Sequence, residues 1–457
     1  MSVDMKKLEE ILKSCEDEML QTAQEWIRIP SVKGEPAENA PFGQHTREAL
    51  DSALSVCKKL GFEVDDVDGY AMHAEMGEGS EQDALAVLCH LDVVPVGDGW
   101  TMDPFCGTIA DGKLYGRGAC DDKGPAAAAL YAMKAVKELG IPLKRRVRLI
   151  LGVDEETGSA DMEYYKKARI MPRQGFSPDA AYPVINIEKG RVALELTGEN
   201  DQSGLKVLQF NVGERFNVIP GNASALVEGG EELIERVNRL PLDFPVSATA
   251  ENGAVRLTTR GIPGHAAMPE GGRNAICQML LVLKALGVKG ALAELADQIG
   301  MTYYGEGLNI AMEDQISGKL TCSMGIIRVD EKKVYATLDL RCPVLCDLPS
   351  IPRLAQMELH HLTVHCASSH PAHHVPASST LVRSLLSAYE ETTGLKGEAI
   401  AIGGGTYAES LEEGVAFGAQ FPDDAEMAHQ ADEYITVESL KKNMRIFANA
   451  IIKLAAE

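Results

Sequence analysis

The chain has 457 residues, and its 67 acidic and 44 basic side chains give a formal net charge of −23. This length is too great for one compact core, so we expect about two to three domains. The negative charge disfavours nucleic acid and anionic membranes as partners, because both are polyanions. No apolar run approaches the ~18 residues of a membrane helix, and Met1–Glu10 lacks the apolar centre of a signal peptide. With ten dispersed cysteines and no CxxC pair, the sequence predicts a cytoplasmic protein with reduced thiols.

The first part of the chain, residues 1–186, alternates helical and strand patterns. Apolar residues at three- and four-residue steps predict helices, and short continuous apolar runs predict buried strands. In chain order these are a helix at Leu8–Ile27, a helix at Thr46–Leu60, a strand at Ala84–Cys89, an alanine-rich helix at Pro125–Leu139 and a strand at Val147–Val153. The alternation predicts an α/β domain whose mostly parallel sheet has helices on both faces.

The pattern changes in residues 187–380, where half-exposed strands alternate apolar and polar residues. The strands are Val192–Leu196, Ala223–Val227, Val255–Thr259 and Val334–Leu340, and the helices are Glu231–Leu240 and Asn274–Leu286. This pattern predicts an inserted α+β domain with an antiparallel sheet.

Helical patterns and buried-type strands, as in residues 1–186, return in residues 381–457. The predicted elements are a helix ending at Thr393, strands at Ala399–Ile402 and Val415–Phe421, and a final helix from about Val437. We therefore predict that residues 1–186 and 381–457 form one α/β domain, interrupted by the domain of residues 187–380.

Polar side chains cluster where the predicted strands of the α/β domain end. They are His90, Asp92, Asp121, Glu155, Glu156, Asp179 and His429. Open α/β sheets bind ligands beyond the carboxyl ends of their strands, so these side chains are expected to point into one crevice. Each short motif by itself is weak, because an isolated His-x-Asp, an acidic turn or an Asp-Asp-Lys-Gly helix start is usually structural.

Several carboxylates in one crevice repel one another unless cations neutralise them. Two borderline divalent ions would do so if each took one imidazole, one terminal carboxylate and a share of a third carboxylate. An Asp two residues after a ligating His can accept its second ring N–H. Adjacent glutamates suit a metal ligand beside a general base. The conjunction of motifs therefore predicts a two-metal hydrolytic site.

Six stretches together carry a resemblance that spans nearly the whole chain. They are His90–Pro95, Tyr115–Pro125, Asp154–Ser159, Ser177–Ala180, Gly403–Ala408 and His429–Glu433. With them the chain resembles the aminoacylase, carnosinase and succinyl-diaminopimelate desuccinylase family of di-zinc metallopeptidases. Within that family it is most similar to the bacterial dipeptidases of the peptidase V type.

The resemblance implies a role for each residue of the cluster and a cofactor of two divalent ions, zinc or alternatively manganese. One ion would be held by His90 and Asp179, and the other by Glu156 and His429. Asp121 would bridge the two ions. Asp92 would orient His90, and Glu155 would be the general base for the water between the metals.

The resemblance also implies that the inserted domain is a lid over a small peptide substrate. His265 would bind the developing oxyanion, while Asn217 and Arg341 would grip the carboxylate end of the substrate. Gly404, Gly405 and Thr406 lie in a motif whose backbone N–H groups could meet a carboxylate. From the residues alone, His265 could equally be a loop histidine and Arg341 a charge on a strand surface. Gly403–Thr406 could equally be a plain turn.

The length of the lid bears on assembly. In the resembling family shorter lids pair between two subunits, and the lid histidine enters the active site of the partner subunit. A lid of about 190 residues could contain both halves of that arrangement, so His265 would act within its own chain. We therefore expect a monomer.

The predicted function is metal-dependent hydrolysis of dipeptides with a free N-terminus. An N-acyl-amino-acid deacylase or desuccinylase would use the same metal residues and stays open. A non-catalytic metal-dependent binding protein would not need Glu155, and a phosphoester hydrolase is disfavoured because no Gly-Lys-Ser/Thr loop is present.

The histidine-rich stretch His360–His374 is either an extra metal site or a polar edge of the lid.

Overall fold

The computed structural model describes residues 4–456. The first three residues of the charged segment Met1–Glu10 and the last residue of the range 381–457 lie outside it. The described chain forms two compact units: the first comprises residues 4–186, 374–400 and 405–456, and the second comprises Ile187–His373 and Ala401–Gly404. Within residues 4–456, no helix has both the length and the apolar character needed to cross a bilayer.

The helices follow the predicted periodicity closely in the first unit. Over the described residues they are α1 Met5–Ile27, α2 Gln44–Lys59, α3 Lys123–Leu139, α4 Ala160–Ala168, α5 Glu231–Asn238, α6 Ala275–Leu286, α7 Ala291–Gln298, α8 Ser350–Glu358, α9 Thr380–Thr393 and α10 Val437–Ala455.

The strands up to the start of the second unit are β1 Glu63–Val67, β2 Ala71–Met76, β3 Leu85–His90, β4 Thr108–Ala110, β5 Lys113–Tyr115, β6 Val147–Gly152, β7 Gln174–Ser177, β8 Ala180–Ala181 and β9 Val184–Glu188. The following strands are β10 Gly190–Glu199, β11 Val207–Val212, β12 Val218–Ile219, β13 Asn222–Glu228, β14 Val246–Glu251, β15 Ala254–Arg260, β16 Gly264–His265, β17 Glu313–Asp314, β18 Gly318–Lys319, β19 Thr321–Val329, β20 Lys333–Cys342, β21 Leu362–His370 and β22 His373–His374. The last are β23 Ala399–Ile402, β24 Glu413–Ala416, β25 Ala419–Gln420 and β26 Tyr434–Thr436.

The main sheet of the first unit has a parallel centre. Its strand order is β1-β2-β6-β3-β7-β24-β9-β22, with β23 beside β9. β6, β3, β7 and β24 run parallel, whereas β1, β2 and β9 pair antiparallel to their neighbours. Every residue of β3 and β6 is buried, as expected of strands covered on both faces. The predicted α/β class is confirmed.

The alanine-rich helix α3 packs against both α1 and α10, and it also contacts β3. Ala126, Ala127, Ala128 and Ala129 are all buried, because the helix is covered on nearly every side. Side chains this small let neighbouring helices approach closely. The composition of α3 thus follows from its place in the core.

The sheet of the second unit has the order β14-β15-β13-β11-β19-β20-β10-β21. All its printed pairings are antiparallel. Along β10, Val192, Leu194 and Leu196 are buried, whereas Ala193 and Glu195 are half-buried. This period of two is typical of a sheet with one face on a core. The predicted antiparallel α+β part is confirmed.

One predicted strand is wrong in its extent. The run Val415–Phe421 is divided into β24 and β25 by Phe417 and Gly418. Gly418 has a φ of 83°, and a Cβ there would lie 2.5 Å from the ring of Tyr182. The packing of that ring against the backbone ends the first strand and demands glycine.

Candidate active site

The predicted metal-binding side chains all belong to the first unit, and the parallel strands explain why they meet. His90 is the last residue of β3, and Asp179 follows β7. Glu155 and Glu156 lie in a short 3₁₀ turn after β6. Because parallel strands end at the same edge of the sheet, these loops converge there. Asp121, just before α3, reaches the same place.

Asp121 lies between the two histidines. Its Oδ1 is 3.0 Å from Nε2 of His90, and its Oδ2 is 3.1 Å from Nε2 of His429. Each imidazole also lies close to a second carboxylate. Asp179 Oδ2 is 3.6 Å from the His90 nitrogen, and Glu156 Oε1 is 3.1 Å from the His429 nitrogen. One carboxylate therefore faces two similar histidine–carboxylate pairs.

Two groups of donor atoms lie close enough together to hold a metal ion. Among residues 4–456, atoms within 4.8 Å of one another come from His90, Asp121 and Glu156, and from His90, Glu155 and Asp179. The structure thus brings the predicted residues together. Both groups share His90, and His429 lies beside them, 3.1 Å from Asp121 and from Glu156.

The electrostatics of the cluster favour a bound cation. Burial, reinforced by the Asp179 carboxylate, raises the pKa of Glu155 well above its ordinary value. Burial and the nearby Asp121 carboxylate raise the pKa of Asp179 to about 7. Hydrogen bonds to Asp121 and Glu156 raise the pKa of His429 to about 10. Carboxylates that resist ionisation and imidazoles that retain protons mark an excess of negative charge.

The donor chemistry also fits divalent metals. Imidazole nitrogen and carboxylate oxygen are the ligands of zinc and of similar borderline ions. Burial by itself would lower the pKa of His90, but the carboxylates of Asp179, Asp121 and Asp92 outweigh it and raise that pKa well above its ordinary value. Cations could take the place of those protons. A histidine–carboxylate pair lies on each side of Asp121 and would supply the ligands.

Asp92 has a wider structural role than the sequence predicted. Nδ1 of His90 lies 3.0 Å from the backbone carbonyl of Asp92 and 3.4 Å from its carboxylate. The two carboxylate oxygens accept the backbone N–H groups of Glu155 and Glu156, at 3.2 and 3.1 Å. Asp92 therefore connects the orientation of His90 to the position of the glutamate turn.

In the second unit, His265 lies on β16 and Asn217 directly precedes its partner strand β12. β12 pairs with β16 so that Val218 faces His265, and the carbonyl of Asn217 accepts the N–H of Ala266 at 2.9 Å. Nδ1 of His265 accepts the N–H of Ala267 at 3.1 Å. With Nδ1 as an acceptor, a neutral His265 ring has its proton on Nε2.

Arg341 is buried and already has partners. Its Nε and Nη2 donate to the two oxygens of Asp339 at 2.6 and 2.8 Å, and its Nη1 donates to the carbonyl of Gly403 at 2.6 Å. A guanidinium has five N–H donors, so two remain for a ligand. The pairing with Asp339 orients the fork. The sequence signal for the pairing of Arg341 with Asp339 is their i, i+2 spacing, because alternate residues of a strand lie on the same face.

The glycine-rich motif is divided between the two units. Gly403 and Gly404 belong to the second unit, and Gly405 and Thr406 belong to the first. A Cβ on Gly403 would lie 2.7 Å from the Cβ of Ala267, so only glycine fits against the loop after His265. Oγ1 of Thr406 accepts the N–H of Ala408 and caps the 3₁₀ turn Tyr407–Ser410.

Comparison with known proteins agrees with this geometry. The model of "Peptidase family M20/M25/M40" matches residues 86–453. The chain belongs to that family. Its members are metal-dependent peptidases, and the cluster around Asp121 is the candidate metal site of this M20 peptidase.

Relatives match along almost the whole chain. "Putative dipeptidase YtjP" of Bacillus subtilis (strain 168) is 39% identical, with 98% of this chain and 99% of the relative covered. A protein of Staphylococcus epidermidis named "Putative dipeptidase" is 33% identical, with 97% and 98% covered.

Solved structures share the fold. Human carnosine dipeptidase 1 superposes with a TM-score of 0.63 at 17% identity, and the di-peptidase Dug1p of Saccharomyces cerevisiae with 0.62 at 13%. Both matches cover 100% of each chain.

A buried ion pair that sequence reasoning did not single out ties two ligand loops of the M20 site together. The Glu433 carboxylate accepts Nη1 of Arg117 at 2.7 Å and the N–H groups of Gly118 and Cys120 at 3.0 Å. Arg117 also donates to the carbonyl of His429 at 3.4 Å. The pair joins the loop before Asp121 to the loop of His429. Both residues lie inside the family motifs, but their spacing gives no hint of the contact.

The histidine-rich stretch lies outside the two groups able to hold a metal among residues 4–456. The backbone N–H groups of His360 and His361 donate to the Glu294 carboxylate at 2.7 and 2.9 Å. His365 and His370 are exposed on the edge strand β21. These contacts favour the polar edge over the extra metal site.

Proposed function

We propose that this M20 peptidase is a dipeptidase that hydrolyses the peptide bond of dipeptides with a free N-terminus. The observation that supports it most is the position of Asp121 between His90 and His429, with Glu155 in the same cluster. The names of the relatives from Bacillus and Staphylococcus and of the two similar structures agree with this substrate class.

The proposed cofactor is two divalent ions, zinc or alternatively manganese. His90 and Asp179 would hold one, Glu156 and His429 the other, and Asp121 would contribute one oxygen to each. Such ions, when bound, polarise a carbonyl and lower the pKa of water. The mixed nitrogen and oxygen donors suit both metals.

Glu155 is the proposed general base. Its side chain is half-buried, and burial raises its carboxyl pKa well above the ordinary value. A carboxylate of raised basicity accepts a proton from the attacking water more readily, and the resulting acid can protonate the leaving amine. Asp92 accepts the N–H of Glu155 and so positions this turn.

The second unit is proposed to bind the rest of the substrate. Nε2 of His265 would donate to the developing oxyanion, since Nδ1 is occupied as an acceptor. Arg341, whose Nη1 donates to the carbonyl of Gly403, would bind the carboxylate of the dipeptide through its two remaining N–H groups. Asn217 is proposed to bind the same end of the substrate. Gly404, together with Gly405 and Thr406 of the first unit, is proposed to add backbone donors.

This proposal predicts a strict dependence on the free carboxylate. A dipeptide should be cleaved at least about 100-fold more efficiently, in kcat/KM, than its C-terminal amide, because a charged group on a fixed guanidinium is worth several kcal/mol. Tripeptides should be similarly poor. Steady-state assays on the metal-reconstituted protein measure this, with N-acyl amino acids in the same panel. Equal efficiency for dipeptide and amide would contradict the carboxylate site, and preference for acyl amino acids would favour a deacylase.

The proposed monomer predicts that His265 acts within its own chain. Glu155→Gln and His265→Ala, each inactive alone, should stay inactive when mixed at high concentration. Sedimentation should give the mass of one chain. Recovery of about a quarter to a half of the wild-type rate, together with a dimeric mass, would instead mean that His265 completes the site of a partner subunit.

A further inference from the structure

Tyr407 lies in the motif Gly403–Ala408, and the proposed hydrolysis gives it no role so far. Its side chain is buried in the core of the first unit. The hydroxyl donates to the carboxylate of Asp161, which is completely buried in the first turn of α4. The hydroxyl oxygen also accepts the N–H of Asp154 at 3.4 Å. This tyrosine therefore reaches the backbone directly before Glu155.

Two buried carboxylates accept four consecutive N–H groups of the segment that carries the two adjacent glutamates. Oδ2 of Asp161 accepts the N–H of Val153 at 2.7 Å and that of Asp154 at 3.0 Å. The carboxylate of Asp92 accepts the next two N–H groups, those of residues 155–156. Hydrogen bonds to an ionised acceptor are shorter and stronger than those between neutral groups. The backbone is thus held on both sides of the point from which the proposed base projects.

Tyr407 favours the ionised form of Asp161. Burial and the nearby Asp92 carboxylate raise the pKa of Asp161 to about 7, whereas the hydroxyl of Tyr407 and the N–H of Val153 lower that pKa. An ionised carboxylate only accepts hydrogen bonds, and it accepts them more strongly than the neutral acid does. Loss of the Tyr407 hydroxyl would therefore weaken the bonds between Asp161 and the segment.

The ends of two central strands are built around this pair of side chains. Gly152 is the last residue of β6, and a Cβ there would overlap both the Tyr407 hydroxyl and the Asp161 carboxylate. Glycine is required because both groups approach its backbone so closely. The ring of Tyr407 also packs against the ring of His90 at the end of β3, edge to face, with 6.2 Å between the ring centroids.

We propose that Tyr407 and Asp161 are positioning residues for the general base: the Tyr407 hydroxyl holds the Asp161 carboxylate, and Asp161 fixes the backbone from which Glu155 projects. The inference rests on the proposed function, in which Glu155 accepts a proton from the attacking water. Both residues act through the position of another side chain. A displacement of about 1 Å at a reacting group can cost about 100-fold in rate, so such support matters.

The first test is Tyr407→Phe, which removes the hydroxyl and keeps the ring. With a dipeptide and the metal-reconstituted full chain, kcat should fall by about 10-fold while KM stays within about 2-fold, because the groups proposed to bind the substrate carboxylate are untouched. An unchanged kcat would overturn the proposal.

The matched control is Tyr165→Phe. Tyr165 is a buried tyrosine of the same core cluster, and its hydroxyl lies 2.9 Å from Nδ1 of His73 and accepts Nη1 of Arg148 at 3.2 Å. Both variants lose a buried hydroxyl, so both should lower the melting temperature. Only Tyr407→Phe should lower kcat. An equal fall of kcat in the two variants would reduce the role of Tyr407 to general stability and would overturn the proposal.

A second measurement does not depend on activity. Hydrogen–deuterium exchange of the full chain without added metal, followed by mass spectrometry, reports on the amides of residues 153–156. Their exchange should be at least about 10-fold faster in Asp161→Asn and in Tyr407→Phe than in the wild type, because the bonds that protect them are weakened. In Tyr165→Phe it should match the wild type. Unchanged exchange in both Asp161→Asn and Tyr407→Phe would contradict the proposal.

The double variant tests whether Tyr407 acts through Asp161. Tyr407→Phe combined with Asp161→Asn should lose no more kcat than Asp161→Asn alone, whereas independent losses would multiply and reject the proposed order of action. Glu155→Gln separates the two levels of the argument. If it keeps the wild-type rate, the base assignment fails and the inference fails with it. If it is inactive while Tyr407→Phe keeps its kcat, only the inference fails.

Discussion

Replacing Glu155 with glutamine is expected to lower kcat by about 10²- to 10⁴-fold, the range that a positioned general base contributes. Glutamine keeps the size and the hydrogen-bonding shape of the side chain but cannot accept a proton at neutral pH. The metal content should stay at the wild-type level, because Glu155 is proposed as a base and not as a ligand. Steady-state rates and elemental analysis of the purified variant measure both effects.

The matched control is Glu163→Gln. Glu163 is an exposed residue of α4 in the same unit, and its carboxylate pairs with Lys166 at 3.0 Å. An exposed pair of this kind contributes little, so activity should be unchanged. Near wild-type activity in Glu155→Gln would reject the base assignment. Loss of metal in that variant would instead make Glu155 a ligand beside His90 and Asp179.

Replacing Asp121 with alanine is expected to weaken metal binding at both positions by at least about 100-fold. Residues that only support a ligand are already worth 10- to 100-fold in affinity. Asp121 contacts both histidines, at 3.0 and 3.1 Å, so its loss affects both sides of the cluster. Activity should fall with metal content. Titration with zinc and with manganese gives the affinities, and anomalous scattering gives the occupancy of each position.

The comparison variant is His429→Ala, whose imidazole contacts Asp121 and Glu156 but lies 48% exposed at one side of the cluster. It should empty mainly one position, leaving about one metal ion per chain. The contrast between the variants is the decisive result. Full occupancy of both positions in Asp121→Ala would reject the bridging role, and an equal loss at both positions in His429→Ala would reject the proposed division of ligands.

Much of the first unit could be predicted because its signals are local. The spacing of Leu8, Leu12, Cys15 and Met19 predicts one buried helix face, and all four are buried in α1. The predicted strand Ala84–Cys89 differs from β3 by one residue at each end. The positions of His90, Glu155 and Asp179 at strand ends predicted their convergence, because the carboxyl ends of parallel strands share one edge of a sheet.

Contacts between distant segments decided the rest. The division of Val415–Phe421 depends on the ring of Tyr182, more than 200 residues earlier in the sequence. The ion pair of Arg117 with Glu433 joins positions 316 residues apart, and no spacing rule relates them. Neither contact leaves a periodic trace in the sequence, since each involves a single pair of residues.

The sequence by itself determined the types of chemistry that this peptidase has available: two imidazoles, several carboxylates and a separate domain with an arginine and a histidine. Only the tertiary structure decided which atoms meet. It placed Asp121 between His90 and His429. It paired the Arg341 guanidinium with the carboxylate of Asp339. It also formed a cavity, partly lined by alanines, beside the candidate metal site. The physical reason is that residue type sets what a group can donate or accept, whereas distance and burial set whether it does so, and both depend on how the whole chain packs.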